Sequence, residues 1–102
     1  MVVNESQVIA PVHLGAQTRA VFRDEALAAL ARLDDEVPGG RLVIDMGQTQ
    51  RVDSAGLGTL VMLQLKAAER KHSVELSHAS EEIRFLLLMT RLEDRFVIRR
   101  DS

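Results

Sequence analysis

The chain contains no cysteine, no long apolar run and few aromatic residues. Without cysteine it can form no disulfide and no thiolate metal site, which is typical of proteins from a reducing compartment. No apolar run approaches the roughly 20 residues that a membrane span needs, and the N-terminus lacks the basic-then-apolar pattern of a signal peptide. The sequence therefore predicts a cytoplasmic protein without membrane insertion.

Charge and length limit the possible partners and the number of domains. The net charge is −2, and the aromatic residues are three phenylalanines. Because there is no basic stripe, direct nucleic-acid binding is not expected. With 102 residues, of which 46% are hydrophobic, the whole chain (1–102) is expected to form one domain, in which the polar residues 1–7 are frayed, only loosely paired or disordered. No heptad pattern or long exposed apolar strand is present, so a monomer is expected.

The alternation of short apolar segments with helical patterns indicates an α/β fold. Strands are predicted at 8–14, 42–46, 74–76 and 95–99, and helices at 18–33, at 55–71 and after Ser80. Pro11 lacks a backbone N–H, so the first strand lies at an edge or is interrupted there. Segment 42–46 is apolar and flanked by helices, which predicts a central parallel strand covered on both faces. Ser80 is the expected N-cap of the third helix, with two glutamates in its first turn.

One stretch, Asp53-Ser54-Ala55-Gly56-Leu57-Gly58, links strand 42–46 to the longest predicted helix. It places the Ser54 hydroxyl at a helix N-terminus, where free backbone N–H groups favour negative charge. We therefore expect Ser54 to be an exposed serine to which a phosphate is added and removed. Gly56 and Gly58 would let a partner approach the backbone, and Gly56 is suited to a positive φ. The alternative is structural: Asp53 or Ser54 caps the helix, and the glycines form the turn.

The second predicted helix is apolar around much of its circumference. A spacing of 100° per residue gathers one apolar face, consisting of Leu57, Leu60, Val61, Leu65, Ala67 and Ala68. Met62 and Leu63 fall on or beside the opposite, polar face, which includes Thr59. Two interpretations stay open: a second layer of the domain packs over Met62 and Leu63, or the two residues form a docking surface.

Catalytic and ligand-binding motifs are missing from the sequence. Gly56-Leu57-Gly58 does not continue as a dinucleotide fingerprint, because Val61 stands where the third glycine is needed. A Ser54/His78/Asp45 triad lacks the G-x-S-x-G frame of hydrolases. The histidines have no metal-ligand spacing and are expected at the surface or in loops: His13, His72 and His78. No metal, no cofactor and no enzymatic activity are therefore expected.

The hexapeptide at 53–58, with an apolar strand before it and a long helix after it, resembles the anti-sigma-factor antagonists of the STAS (sulfate transporter and anti-sigma-factor antagonist) domain family. The resemblance implies a mixed sheet of four to five strands flanked by about three to four helices. In these antagonists, a partner kinase that is also the anti-sigma factor phosphorylates the serine after the motif aspartate, the position of Ser54. The unmodified antagonist binds that kinase and frees sigma, and a PP2C-type phosphatase resets the switch.

The resemblance also implies a partner-binding surface around this serine. Its predicted members are Asp53, Ser54, Ala55, Gly56, Leu57, Gly58, Thr59, Met62 and Leu63. The chain has Val12-His13-Leu14-Gly15 where many family members carry an acidic segment, so the partner contact there is expected to differ. The nearest alternative is a STAS-type small subunit of a lipid-transport ABC system, which often has threonine at the serine position. Such a subunit would bind its ATPase through the helix around Met62 and Leu63.

Overall fold

The computed structural model describes residues 3–99, which fold as strands alternating with helices. The strands within this range are β1 Glu5–Ile9, β2 His13–Leu14, β3 Arg41–Asp45, β4 Arg51–Val52, β5 Ser73–Ser77 and β6 Val97–Ile98. The helices are α1 Arg19–Ala31, α2 Ser54–Glu69, α3 Glu81–Met89 and a short 3-10 helix, Glu93–Arg95. This order confirms the predicted α/β class. None of the helices described is both long and apolar enough to cross a membrane.

Two separate sheets carry the strands of residues 3–99. The larger sheet has the order β1-β3-β5-β6, and the smaller one pairs β2 with β4. All the strand pairs described are parallel, whereas the family resemblance implied a mixed sheet. Each parallel pair is joined by a crossover through a helix, which is the connection that parallel strands need.

The predicted central strand is β3, which lies between β1 and β5. Leu42 and Ile44 are 0% exposed, because α1 packs against β1 and β3 while α2 packs against β5. The opposite face of the sheet has a different cover. There Glu75 is 1% exposed and forms ion pairs with Arg41 and Arg99 at 3.0 Å each. Val43, on this face, is 7% exposed, so β3 is buried on both faces as predicted, although charged side chains form part of the cover on one of them.

The N-terminal segment is more ordered than its polar composition suggested. β1 begins at Glu5 and is in register with β3 from Glu5 beside Arg41 to Ile9 beside Asp45. The expectation that residues 1–7 are frayed was thus wrong for 5–7, because backbone pairing does not require apolar side chains; residues 1 and 2 lie outside the described range. Pro11 marks an interruption, after which β2 leaves the large sheet and pairs with β4.

The third helix begins as predicted. Ser80 is its N-cap, and its hydroxyl accepts a hydrogen bond from the Ile83 N–H at 3.2 Å. Glu81 and Glu82 occupy the first turn, where carboxylates are favoured by the free N–H groups. Ile83 and Leu87 bury this helix in the same apolar core that holds the sheet together.

Candidate functional site

Ser54 is the first residue of α2 and is exposed. The N-cap before it is Asp53, whose Oδ1 accepts a hydrogen bond from the Gly56 N–H at 3.0 Å. Of the two residues that could have capped the helix, Asp53 takes the role. The Ser54 hydroxyl is therefore left at the surface and is not required for the cap.

The second carboxylate oxygen of Asp53 joins the α2 N-terminus to the loop before α1. Asp53 Oδ2 accepts from the Ala16 N–H at 3.2 Å. The hydrogen bonds from Gly56 and Ala16 hold the pKa of Asp53 below its usual value, and the positive charge of Arg19 lowers it further, although partial desolvation opposes this. Ionised Asp53 thus orients the backbone on which Ser54 sits.

Two glycines allow these segments to approach closely. A Cβ on Gly56 would lie 2.9 Å from the Leu14 carbonyl carbon and closer still to its oxygen. A Cβ on Gly15 would similarly overlap the Asp53 carboxylate. Among the described glycines only Gly39 has a positive φ, so the suggestion of a positive φ at Gly56 was wrong. Gly56 is therefore needed for the close packing of α2 against β2. The same packing buries Gly56, so a partner cannot contact it.

A cleft of about 350 Å³ opens beside Ser54. Its lining combines the exposed serine, part of α2 and the start of α1: Arg19, Arg23, Ser54, Ala55, Gly58, Thr59 and Met62. A Cβ on Gly58 would meet nothing within 4 Å, so the surface there is open. The Thr59 hydroxyl donates to the Ala55 carbonyl at 2.9 Å and is 8% exposed as a residue, so Thr59 contributes to the floor of the cleft.

The structure brings together only part of the predicted partner surface. Leu63 is 0% exposed in the apolar core, so placing it on that surface was wrong. The core-facing residues of α2 are Gly56, Thr59, Leu60, Leu63 and Ala67. This face is rotated from the predicted one, and Leu65 is 50% exposed. Because α2 is apolar nearly all round, its periodicity alone did not select the face that meets the sheet.

Sequence reasoning missed Arg19 and Arg23, the two basic residues of the Ser54 cleft. They were assigned to a separate helix with no link to the serine. The parallel pair β2 and β4 explains their position: each strand is followed by a helix, so the N-termini of α1 and α2 lie side by side. The signal would have been a second strand next to the hexapeptide, but β4 has two residues and cannot be identified by alternation.

Among residues 3–99, the histidine and the aspartate considered for a triad with Ser54 lie away from the Ser54 cleft. His78 Nδ1 lies 3.4 Å from Asp45 Oδ1, but neither residue lines the Ser54 cleft. His72 lies in a loop as expected but is buried, accepting from the Gly40 N–H at 3.0 Å. Within residues 3–99, no group of three or more His, Cys, Asp or Glu residues could hold a metal ion.

Comparison with known proteins places this geometry in a family. A family model described as "Mlab, STAS domain" matches residues 4–99. No curated protein matches the sequence. A solved structure of a Thermotoga maritima protein assigned as an anti-sigma factor antagonist has a TM-score of 0.76 and 17% identity, covering 93% of this chain and 80% of that one.

A second solved structure shares the fold. It is a sulfate transporter family protein from Wolinella succinogenes, with a TM-score of 0.64 and 18% identity, covering 96% of this chain and 80% of that one. At these identities the two structures show a common architecture.

Proposed function

The chain belongs to the STAS domain family, and we propose that it is an anti-sigma-factor antagonist whose binding is switched by phosphorylation of Ser54. In the unmodified form it binds an anti-sigma factor that is also a serine kinase, and so frees a sigma factor. The observation that carries this proposal is the exposed Ser54 hydroxyl, which lies beside an open cleft while Asp53 performs the capping.

The covalent step uses this chain only as an acceptor. The Ser54 oxygen attacks the γ-phosphorus of ATP, its proton passes to a base of the kinase, and ADP leaves as the bond to the β-phosphate oxygen breaks. The step needs no acid, base or metal from this chain, because the kinase supplies the base and binds the ATP. Hydrolysis by a PP2C-type phosphatase returns the serine and inorganic phosphate.

The effect on binding follows from charge and solvation. A phosphoserine carries about −1.5 to −2 charge and three strong acceptor oxygens. A partner surface shaped for a small hydroxyl at Ser54 would bury that charge without compensating donors, which is costly. A penalty of about 3 kcal/mol lowers affinity by roughly two powers of ten. The switch therefore requires no change of fold.

Fewer residues are accessible to a partner than the sequence predicted. Asp53, Ser54 and Gly58 are exposed, and Ala55 and Met62 are half-buried at the cleft. Leu57 is also half-buried, but it packs against the core and does not line the cleft. We assign partner contact to the other five residues. Phosphorylation by an ATP-dependent kinase and a partner that controls sigma both require a cytoplasmic location, and the chain would act there as a monomer.

The fold also supports a second candidate function. Because the sulfate transporter family protein has the same architecture, a STAS domain can also belong to a transport system. In this alternative the chain is the small subunit of a lipid-transport ABC system and binds its ATPase. Leu63 is buried and cannot contribute, so the contact would depend on Met62 and the rest of the cleft.

Phosphosite mapping separates the two functions. The purified chain is incubated with each candidate serine kinase and ATP, and the product is mapped by mass spectrometry, with Ser54→Ala as the matched control. The antagonist function predicts one phosphate, on Ser54, which the control lacks. Modification at other positions only, or none with any kinase, together with copurification of an ATPase, would favour the transport subunit.

A further inference from the structure

Two arginines lie beside Ser54 across a shared cleft. Arg19 is the first residue of α1, and Arg23 follows one turn later, so both side chains project from the same face of the helix. Both residues are exposed, and both line the cleft that Ser54 lines from α2. The site therefore combines a modifiable hydroxyl with two guanidinium groups from a neighbouring element.

Within residues 3–99, neither guanidinium is strongly engaged by a carboxylate. Arg23 Nε lies 3.4 Å from Asp24 Oδ1, but both side chains are exposed, and such pairs contribute little. Arg19 influences Asp53, whose oxygens already accept from the backbone of Gly56 and Ala16. An arginine has five N–H donors, so both side chains retain donors for a further anion.

We propose that Arg19 and Arg23 hold the phosphoryl group on Ser54, forming an intramolecular phosphoserine site. This inference rests on the proposed function, in which Ser54 is phosphorylated. A phosphate presents three acceptor oxygens, and the planar guanidinium fork matches them with paired hydrogen bonds. Holding the phosphate draws the two arginine side chains over the cleft, which covers Gly58 and Met62 and removes them from a partner's reach.

The test uses the full chain with phosphoserine encoded at position 54 during translation, so no kinase is needed. The variants are the wild type, the double variant Arg19→Gln/Arg23→Gln and the control Arg32→Gln. Arg32 follows the last turn of α1, about 20 Å along the helix from Arg19. Its substitution by glutamine therefore removes one positive charge far from the site. Each protein is melted with and without the phosphate at low salt, and the phosphate is titrated by ³¹P NMR.

The phosphoserine site predicts that phosphorylation shifts the Tm of the wild type and Arg32→Gln upward by about 4 °C or more relative to its shift in the double variant. The difference should shrink as salt is added. The second phosphate pKa, ordinarily about 6, should be lower in the wild type than in the double variant. Because the N-terminus of α2 is present in every protein, this comparison isolates the arginines.

Equal Tm shifts and equal phosphate pKa values in the wild type and the double variant would overturn the inference. The proposed function would survive that result, because a phosphate without a protein ligand still obstructs a partner. Conversely, failure of every kinase to modify Ser54 would remove the proposed function while leaving the encoded phosphoserine measurements intact. The unmodified double variant, compared with the unmodified wild type, shows whether the substitutions themselves affect folding.

Discussion

Replacing Gly56 by alanine would place a methyl group against a carbonyl of the backbone. The added Cβ would lie 2.9 Å from the Leu14 carbonyl carbon, closer to its oxygen, and 3.0 Å from Val52 Cγ1. The Leu14 atoms are backbone, and Val52 is a β-branched side chain with a restricted χ1, so neither obstacle can easily move aside. Gly58→Ala is the matched control, because a Cβ there meets nothing within 4 Å and Gly58 lies in the same helix.

Two contributions of opposite sign decide how each substitution changes the free energy of unfolding. Overpacking typically costs about 1–3 kcal/mol. Alanine is favoured over glycine within a helix by roughly 0.5–1 kcal/mol. Gly58→Ala receives only the second contribution and should be slightly more stable than the wild type. Gly56→Ala receives both and should be destabilised by about 1–2 kcal/mol, since the overlap is with the backbone.

Thermal unfolding followed by circular dichroism gives the comparison. For a chain of this size about 1 kcal/mol changes Tm by roughly 4–8 °C, so the Tm of Gly56→Ala should fall at least about 6 °C below that of Gly58→Ala. Equal Tm values, or a higher Tm for Gly56→Ala, would refute the conclusion that Gly56 is required for the approach of β2 to α2.

Three further comparisons test the site and its support. The pKa of Asp53 is lowered in the folded chain, so the stability that the ionised carboxylate contributes should be present above the unfolded pKa of about 3.9 and be lost as pH falls through the folded pKa. In Asp53→Asn, the decrease of Tm between pH 5 and pH 2 should therefore be smaller than in the wild type. Ser80→Ala should cost about 1 kcal/mol by denaturant unfolding, whereas Ser54→Ala should cost close to nothing because Ser54 is not a cap. Leu63→Ala should lose about 2–5 kcal/mol of stability, while Met62→Ala should lose less, because Met62 is only half-buried against the core, and should weaken partner binding.

Much of the fold was predictable where a local signal is strong. The apolar run 42–46 predicted β3 within one residue at each end, because a β-branched apolar segment between two helices is typical of a buried strand and too short for a helix. Ser80 predicted the start of α3, since an N-cap serine followed by acidic residues is a chemical signal read locally. Ser54 was correctly placed at the N-terminus of α2 and at the surface, although the helix begins at Ser54 itself, one residue earlier than predicted.

Other features depend on tertiary contacts and left no local signal. β2 and β4 have two residues each, which is too short for an alternation of polar and apolar residues to predict them or their pairing. The face of α2 that meets the sheet is decided by what packs there, and Leu63 was therefore misplaced. Arg19 and Arg23 reach Ser54 only because two parallel strands bring two helix N-termini together. For the same reason Gly56 was assigned to partner access when it serves internal packing.

The central claim is that the Ser54 hydroxyl controls partner binding. Its most direct test is an isothermal titration of the cognate serine kinase, without ATP, into the unmodified chain and into the chain phosphorylated on Ser54. The account predicts that phosphorylation weakens binding by roughly 100-fold or more, a coupling of about 3 kcal/mol. Equal affinities for the two forms would contradict it.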